Sequence, residues 1–223
     1  MEPRLIQWDA RGPARAVALV LHGGAEAGLA EVRPWGPAYL RMRPIARALR
    51  RSLAPHGVEV RLLRNRVRGW NEPDLHPVED ARRALEQIHA DRPGVPVYLV
   101  GHSMGGRVAL RVADDPAVTA VCALAPWTPQ DEPVEPVKER TVVIAHGTLD
   151  HITSPAASYA YAARARHVAA RLARFELAAE AHAMLLRPGT WNRIVREFGL
   201  DAAGVRSLTA WDLPPDQRLR LSR

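Results

Sequence analysis

The chain has 223 residues, 47% hydrophobic and 25% charged, which suits one sizeable core and leaves too little for two ordinary domains. Its formal charge of +7 is almost all arginine, since Lys138 is the only lysine among 31 basic residues; these are spread along the chain without aromatic interleaving, so no nucleic-acid partner is expected. Met1 to Gly12 has no uninterrupted apolar segment and no later stretch reaches 18 apolar residues without a charge, so the reading is a cytoplasmic protein with no membrane insertion.

We read residues 1–223 as one domain, with 1–15 an edge strand and lead-in and 205–223 a C-terminal tail. Leu5 to Trp8 suits the edge strand. Ala16 to Leu21 is a continuous apolar run, as expected of a strand buried on both faces of a parallel sheet, and it ends in His22-Gly23-Gly24. A Gly- and Pro-rich loop through Trp35, Gly36 and Tyr39 follows. Pro44 then starts a helix with Ile45, Leu49 and Leu53 at fourfold spacing, and Pro55-His56-Gly57 stops it.

Val58 to Leu63 reads as a shorter, more polar strand, and Pro77 to Ala90 as a helix with Val78, Ala81, Leu85 and Ile88 on its apolar face. Val118 to Leu124 and Thr141 to Ala145 are two further apolar strands. The only cysteine, Cys122, lies in the first of them and reads as core filler; no internal disulfide is possible. Ser154-Pro155 suits the N-cap and first turn of a helix to about Arg166, and Leu172 to Leu177 reads as the last strand. Thr190 caps a final helix with Trp191, Ile194, Val195 and Phe198 on one face, closing at Gly199. Repeated strand and helix alternation implies an α/β fold, a mostly parallel sheet with helices on both faces.

The chain is organised around Val97-Tyr98-Leu99-Val100-Gly101-His102-Ser103-Met104-Gly105-Gly106. A buried strand here turns sharply into a helix, with Ser103 at the tip of a G-x-S-x-G turn whose glycines let strand and helix pass closely. In a parallel sheet the loops after the strand C-termini gather at one edge, so Ser103, Asp150 and His182 can meet there. A serine hydroxyl needs an imidazole to take its proton and a carboxylate to hold that imidazole in the right tautomer. His182 is the expected base and Asp150 its orienter, in preference to Asp131, which stands in a Pro-rich segment with Glu132 and Glu135 that looks solvated. His22, His102 and His146 read as loop-shaping residues.

From about Ala16 to Gly199 the sequence resembles the α/β-hydrolase superfamily, on His22-Gly23-Gly24, Gly101-His102-Ser103-Met104-Gly105-Gly106, His146-Gly147-Thr148-Leu149-Asp150 and Ala181-His182-Ala183-Met184-Leu185. The resemblance implies Ser103 as nucleophile, His182 as base and Asp150 as acid. It also implies an oxyanion hole from the backbone N–H groups of Met104 and Gly24, with Ala25 as second choice for the latter. Trp35, Tyr39, Trp70 and Trp127 are candidates to line a substrate pocket. Between Leu124 and Thr141 there are only sixteen residues, too few for a helical cap and rich in proline, so an open site is expected. That resembles compact carboxylesterases and dienelactone-hydrolase-like proteins, although the latter use a cysteine nucleophile. The implied function is hydrolysis of a small-molecule ester or thioester through an acyl-enzyme, with no cofactor or metal. The alternatives are an acyltransferase, a peptidase or a perhydrolase with the same triad, or a non-catalytic binding protein of the same fold.

Overall fold

The computed structural model describes residues 2–223, whose strands form one eight-stranded sheet. In chain order these are β1 (Arg4–Trp8), β2 (Ala16–Leu21), β3 (Val58–Arg64), β4 (Val97–His102), β5 (Val118–Leu124), β6 (Thr141–Gly147), β7 (Arg171–Leu177) and β8 (Leu221–Ser222). The helices are α1 (Pro37–Leu53), α2 (His76–Asp91), α3 (Met104–Arg111), α4 (Pro155–Ala165) and α5 (Pro188–Ala202). Across the sheet the order is β1-β3-β2-β4-β5-β6-β7-β8; β1 runs antiparallel to β3 and the other neighbours are parallel.

The pleat sorts each strand's side chains between two cores. In β2, Ala16, Ala18 and Val20 face α1 and α5, while Val17, Leu19 and Leu21 face α2, α3 and α4. The chain leaves β2 for β3 on one side and returns to β4 on the other. The crevice at the C-terminal ends of β2 and β4 is therefore a topological switch point, where an α/β sheet offers a binding cleft. The loop after β2 and the turn after β4 both open there, carrying Gly24 and Ser103.

Several elements depart from expectation for local reasons. Helix α1 starts at Pro37 after Gly36, well before Pro44, because Tyr39 and Met42 already belong to the buried stripe of Ile45, Leu49 and Leu53. Pro44 lies inside the helix on its exposed side, where water can take the carbonyl its ring leaves free. Thr190 does not cap α5, since Pro188 already occupies the first turn and Thr190 N donates to Arg187 O. Gly199 does not end that helix either; it lets α5 approach α1, where a Cβ would press into Leu53.

Strand β3 is longer than expected and buried throughout, and its most buried polar residues, Glu59 and Arg61, are paired. Arg61 Nε meets Glu59 Oε1 at 2.5 Å, Arg61 also reaches Asp91 at 2.7 Å, and Arg92 meets Glu59 at 2.8 Å. β7 is not the last strand. The tail docks through two short 3₁₀ turns, Thr209–Asp212 and Pro215–Leu219, and adds β8 to β7, covering Arg174, which donates to Glu176 at 2.7 Å and to the Leu219 carbonyl.

Residues 125–140 hold only a short 3₁₀ turn at Glu135–Val137, so no helical cap covers the sheet edge. Glu132 within this segment is fully buried, not solvated: Arg107 Nε meets it at 2.5 Å, Arg111 pairs with its other oxygen, and Arg164 donates to its carbonyl. Buried carboxylates persist only when paired, and this one pins the Pro-rich loop onto α3. No helix among the described residues is long and apolar enough to cross a membrane.

Candidate active site

Ser103 joins β4 to α3 with φ 56° and ψ −121°, a backbone conformation that a residue with a Cβ adopts only under constraint. The constraint comes from both sides of the turn. Ser103 N donates to Leu124 O at 2.9 Å, its carbonyl accepts from Arg107 N and Trp127 N, and Gly101 and Gly105 pass so closely that a Cβ on Gly101 would overlap the Gly105 backbone. A Cβ on Gly105 would in turn run into the carbonyls of Leu21 and His22. The turn thus aims the Ser103 hydroxyl over the sheet edge while the chain stays packed beneath it.

The structure brings the three separated residues together. His182 Nε2 stands 3.0 Å from Ser103 Oγ, and His182 Nδ1 stands 2.8 Å from Asp150 Oδ2. Asp150 Oδ1 accepts the backbone N–H groups of Ile152 and Thr153, each at 2.9 Å, and Oδ2 lies 3.0 Å from the Thr153 hydroxyl. Burial alone would raise the Asp150 carboxyl, but bonds from His146, His182 and these backbone groups outweigh it and hold the group well below the usual carboxylate range. Asp131 is exposed and stands apart from His182, on the wall of a cavity with Trp70 and Trp127.

Among the described residues, the N–H groups of Gly24 and Met104 have no hydrogen-bond partner, whereas Ala25 N is committed to Arg68 O at 2.8 Å. Of these two free donors, Met104 N follows Ser103 in the chain and leads into α3, and Gly24 N follows Gly23, where a Cβ would stand 3.2 Å from Ser103 Cβ. The four aromatic candidates do not share one pocket. Trp35 and Tyr39 line a cavity of about 570 Å³ walled by His22, Gly23 and Gly24. Trp70 and Trp127 border a separate cavity of about 580 Å³, and both rings lie against the Arg107 guanidinium, at 4.0 and 4.5 Å.

Four residues with no assigned role at the site, or only a loop-shaping one, support it. His102 packs 4.8 Å from the His182 ring and its Nε2 lies 2.9 Å from the His182 carbonyl. His146 and Thr153 both touch Asp150. Glu180, fully buried, accepts the backbone N–H groups of Ala181, Leu186 and Arg187 and so folds the loop that presents His182. Its carbonyl accepts Leu149 N, tying that loop to the Asp150 turn. Nothing in the local pattern around Glu180 distinguishes it from a surface acid, whereas the H-G-x-x-D run does place His146 four residues before Asp150.

The buried histidines make a stability prediction. Burial lowers His22 to about 4 and His102 to about 3, from an ordinary 6.5; His22 Nε2 accepts Asn65 N–H at 3.1 Å, joining the loop after β2 to the end of β3. Between pH 6.5 and about 4 the unfolded chain takes up a proton at each site and the folded chain does not. Stability therefore falls with falling pH, by up to about 1.4 kcal/mol per unit for each histidine. Urea unfolding at stepped pH should show this slope, and His22→Gln should flatten it by one proton; a flat wild-type profile would contradict two neutral buried imidazoles.

The sequence matches the alpha/beta hydrolase family over residues 18–221, and the chain belongs to that family. A search of curated proteins gave no match. Among solved structures it is similar to a lidless α/β serine hydrolase from Xanthomonas campestris, with 18% identity and TM-score 0.64 over 90% of this chain and 88% of that one. An α/β serine hydrolase homologue from Coxiella burnetii gives 15% identity and TM-score 0.65 over 87% and 90%. A putative α/β hydrolase from Agrobacterium tumefaciens gives 14% and 0.72 over 90% and 91%. At these identities the likeness is one of fold.

Proposed function

We propose that the protein is a serine hydrolase that cleaves a carboxylic ester or thioester through an acyl-enzyme. The observation that carries this reading is the continuous line from Ser103 Oγ through the His182 ring to Asp150 Oδ2, at 3.0 and 2.8 Å, beside two uncommitted backbone donors. In this reading His182 Nε2 takes the Ser103 proton as Oγ attacks the acyl carbon, and the anionic Asp150 stabilises the imidazolium that forms. The carbonyl oxygen becomes an oxyanion held by Gly24 N–H and Met104 N–H. His182 then returns the proton to the leaving alcohol or thiol, and a water activated by the same imidazole frees the acid.

The missing helical cap favours small, freely diffusing substrates, with the Trp35 and Tyr39 cavity next to Gly24 as the nearer place for an apolar group. Acyl transfer, peptide cleavage and perhydrolysis use the same groups; a cytoplasmic location belongs to the same proposal. The test is a fluorophosphonate probe followed by peptide mapping. A single adduct on Ser103 is expected, and labelling of another serine, or of none, would overturn the assignment.

A further inference from the structure

His146, the sixth residue of β6, is fully buried beneath the turn that carries Asp150. Its Nε2 stands 3.2 Å from Asp150 Oδ2, 3.3 Å from the Thr153 carbonyl oxygen and 3.4 Å from the Thr153 hydroxyl. A carboxylate and a carbonyl can only accept, so the proton belongs on Nε2; a lone pair there would face two others. Nδ1 is buried without a partner among the described residues, which costs less for a lone pair than for an N–H. The geometry thus selects one tautomer, with Nε2–H shared between Thr153 O and Asp150 Oδ2.

We infer that His146 is a positioning residue for Asp150, whose Nε2–H shares the carboxylate with His182 and so sets how strongly that carboxylate holds the His182 proton. The inference rests on the proposed triad for its meaning, but its test does not depend on turnover. Asp150 Oδ2 faces His182 Nδ1 at 2.8 Å and His146 Nε2 at 3.2 Å, together with the Thr153 hydroxyl at 3.0 Å, whose single proton also has the Ala125 carbonyl within 3.1 Å. Every donor that stabilises the anion spends part of its charge and leaves less for an imidazolium at His182. The other titratable and charged groups around this centre are His102 of β4, packed on the His182 ring, Arg41 of α1, whose charge reaches His102, and Glu180, buried in the loop that presents His182 and bonded to that loop's own N–H groups. None of the three bonds to Asp150, so among the described residues His146 is the one ring besides His182 in hydrogen-bond reach of the carboxylate.

Replacing His146 with an apolar side chain should therefore concentrate charge on Asp150 and move the titration midpoint of the His182 ring upward. The rise should be about 0.5–1 pH unit, roughly half of what a hydrogen bond to a charged group is worth on that scale, because the carboxylate passes on only part of what it gains. A histidine that only fills space would leave the midpoint where it is. His146→Gln, whose side-chain amide can place an N–H near the same acceptors, should restore the wild-type midpoint.

The experiment is ring-¹⁵N NMR of the full chain with labelled histidine, titrated for the wild type, His146→Gln and His146→Leu, with circular dichroism on each. The Nε2–H tautomer at His146, a raised His182 midpoint in His146→Leu and rescue by His146→Gln are expected. An Nδ1–H tautomer, a midpoint in folded His146→Leu that stays or falls, or a shift in His146→Gln equal to that in His146→Leu would overturn the inference. If His146→Leu does not fold, the wild-type tautomer decides. Failure of Ser103 to take the fluorophosphonate would sink the hydrolase reading and leave these signals in place.

Discussion

Ser103→Ala should lose at least about 10⁴-fold in kcat on an activated ester while keeping its thermal stability. In subtilisin, removing the nucleophile or the base alone costs roughly 10⁶ in kcat, because the triad acts as a unit and the rest of the site retains only modest power. Here the hydroxyl is the one group on the turn aimed at His182 Nε2, at 3.0 Å, and alanine leaves nothing to acylate. The stability arm separates chemistry from architecture. Alanine keeps the Cβ that makes φ 56° and ψ −121° costly, so the strain stays and the melting temperature should hardly move. Ser103→Gly, equally inactive, removes that Cβ and should gain about 1 kcal/mol in urea unfolding. Full activity in Ser103→Ala would remove this residue from the mechanism, and a Ser103→Gly variant less stable than Ser103→Ala would show that the turn is not strained.

The parts of this fold that were legible in the sequence are those where one local force decides. β2 and β5 match the apolar runs Ala16–Leu21 and Val118–Leu124 residue for residue, because a strand between two others is covered on both faces and tolerates little else. Ser154 caps α4 through Ala157 N at 3.1 Å, as its place before Pro155 implies. Where two local signals compete, the weaker-looking one can win. Pro44 and Thr190 are good helix starters, yet Pro37 and Pro188 start α1 and α5, because the buried stripe extends further upstream or an earlier proline already fills the first turn.

What the sequence conceals is pairing at a distance. Glu132 stands between Asp131 and Pro133 and looks solvated, and only the approach of Arg107 and Arg111 from α3 explains its burial. Glu180 finds its donors in the loop that it shapes, and Arg174 of β7 is buried only because the tail folds over it. The aromatic candidates fail as one pocket for a related reason. Trp70 and Trp127 are drawn to the Arg107 guanidinium, away from Trp35 and Tyr39, and no local pattern encodes that attraction. Ser103, Asp150 and His182 meet although far apart in sequence because each follows a strand of a parallel sheet, so topology replaces sequence proximity.

Asp150→Asn should lower kcat by at least about 10²-fold, and Asp131→Asn should change it little. In the serine-protease triad the same change costs roughly 10⁴, because an amide cannot hold the imidazole in the tautomer that leaves Nε2 free to accept. The local bonding here makes a similar loss hard to avoid. Oδ1 is fixed by the N–H groups of Ile152 and Thr153, so an asparagine can satisfy them only by keeping its oxygen on that side. Its NH₂ then turns toward His182 Nδ1, as a donor facing a donor, and favours the ring with its proton on Nε2, which cannot accept from Ser103. His146 Nε2–H and the Thr153 hydroxyl would meet the same NH₂, so some of the loss should come from a displaced turn and show as a lower melting temperature. Asp131, exposed on the wall of the Trp70 cavity, forms no hydrogen bond or ion pair with His182, whose Nδ1 is taken by Asp150. The two variants should be compared for kcat on one activated ester, with circular dichroism on each; a large loss at Asp131 beside near-normal activity at Asp150 would move the acid to the loop after β5.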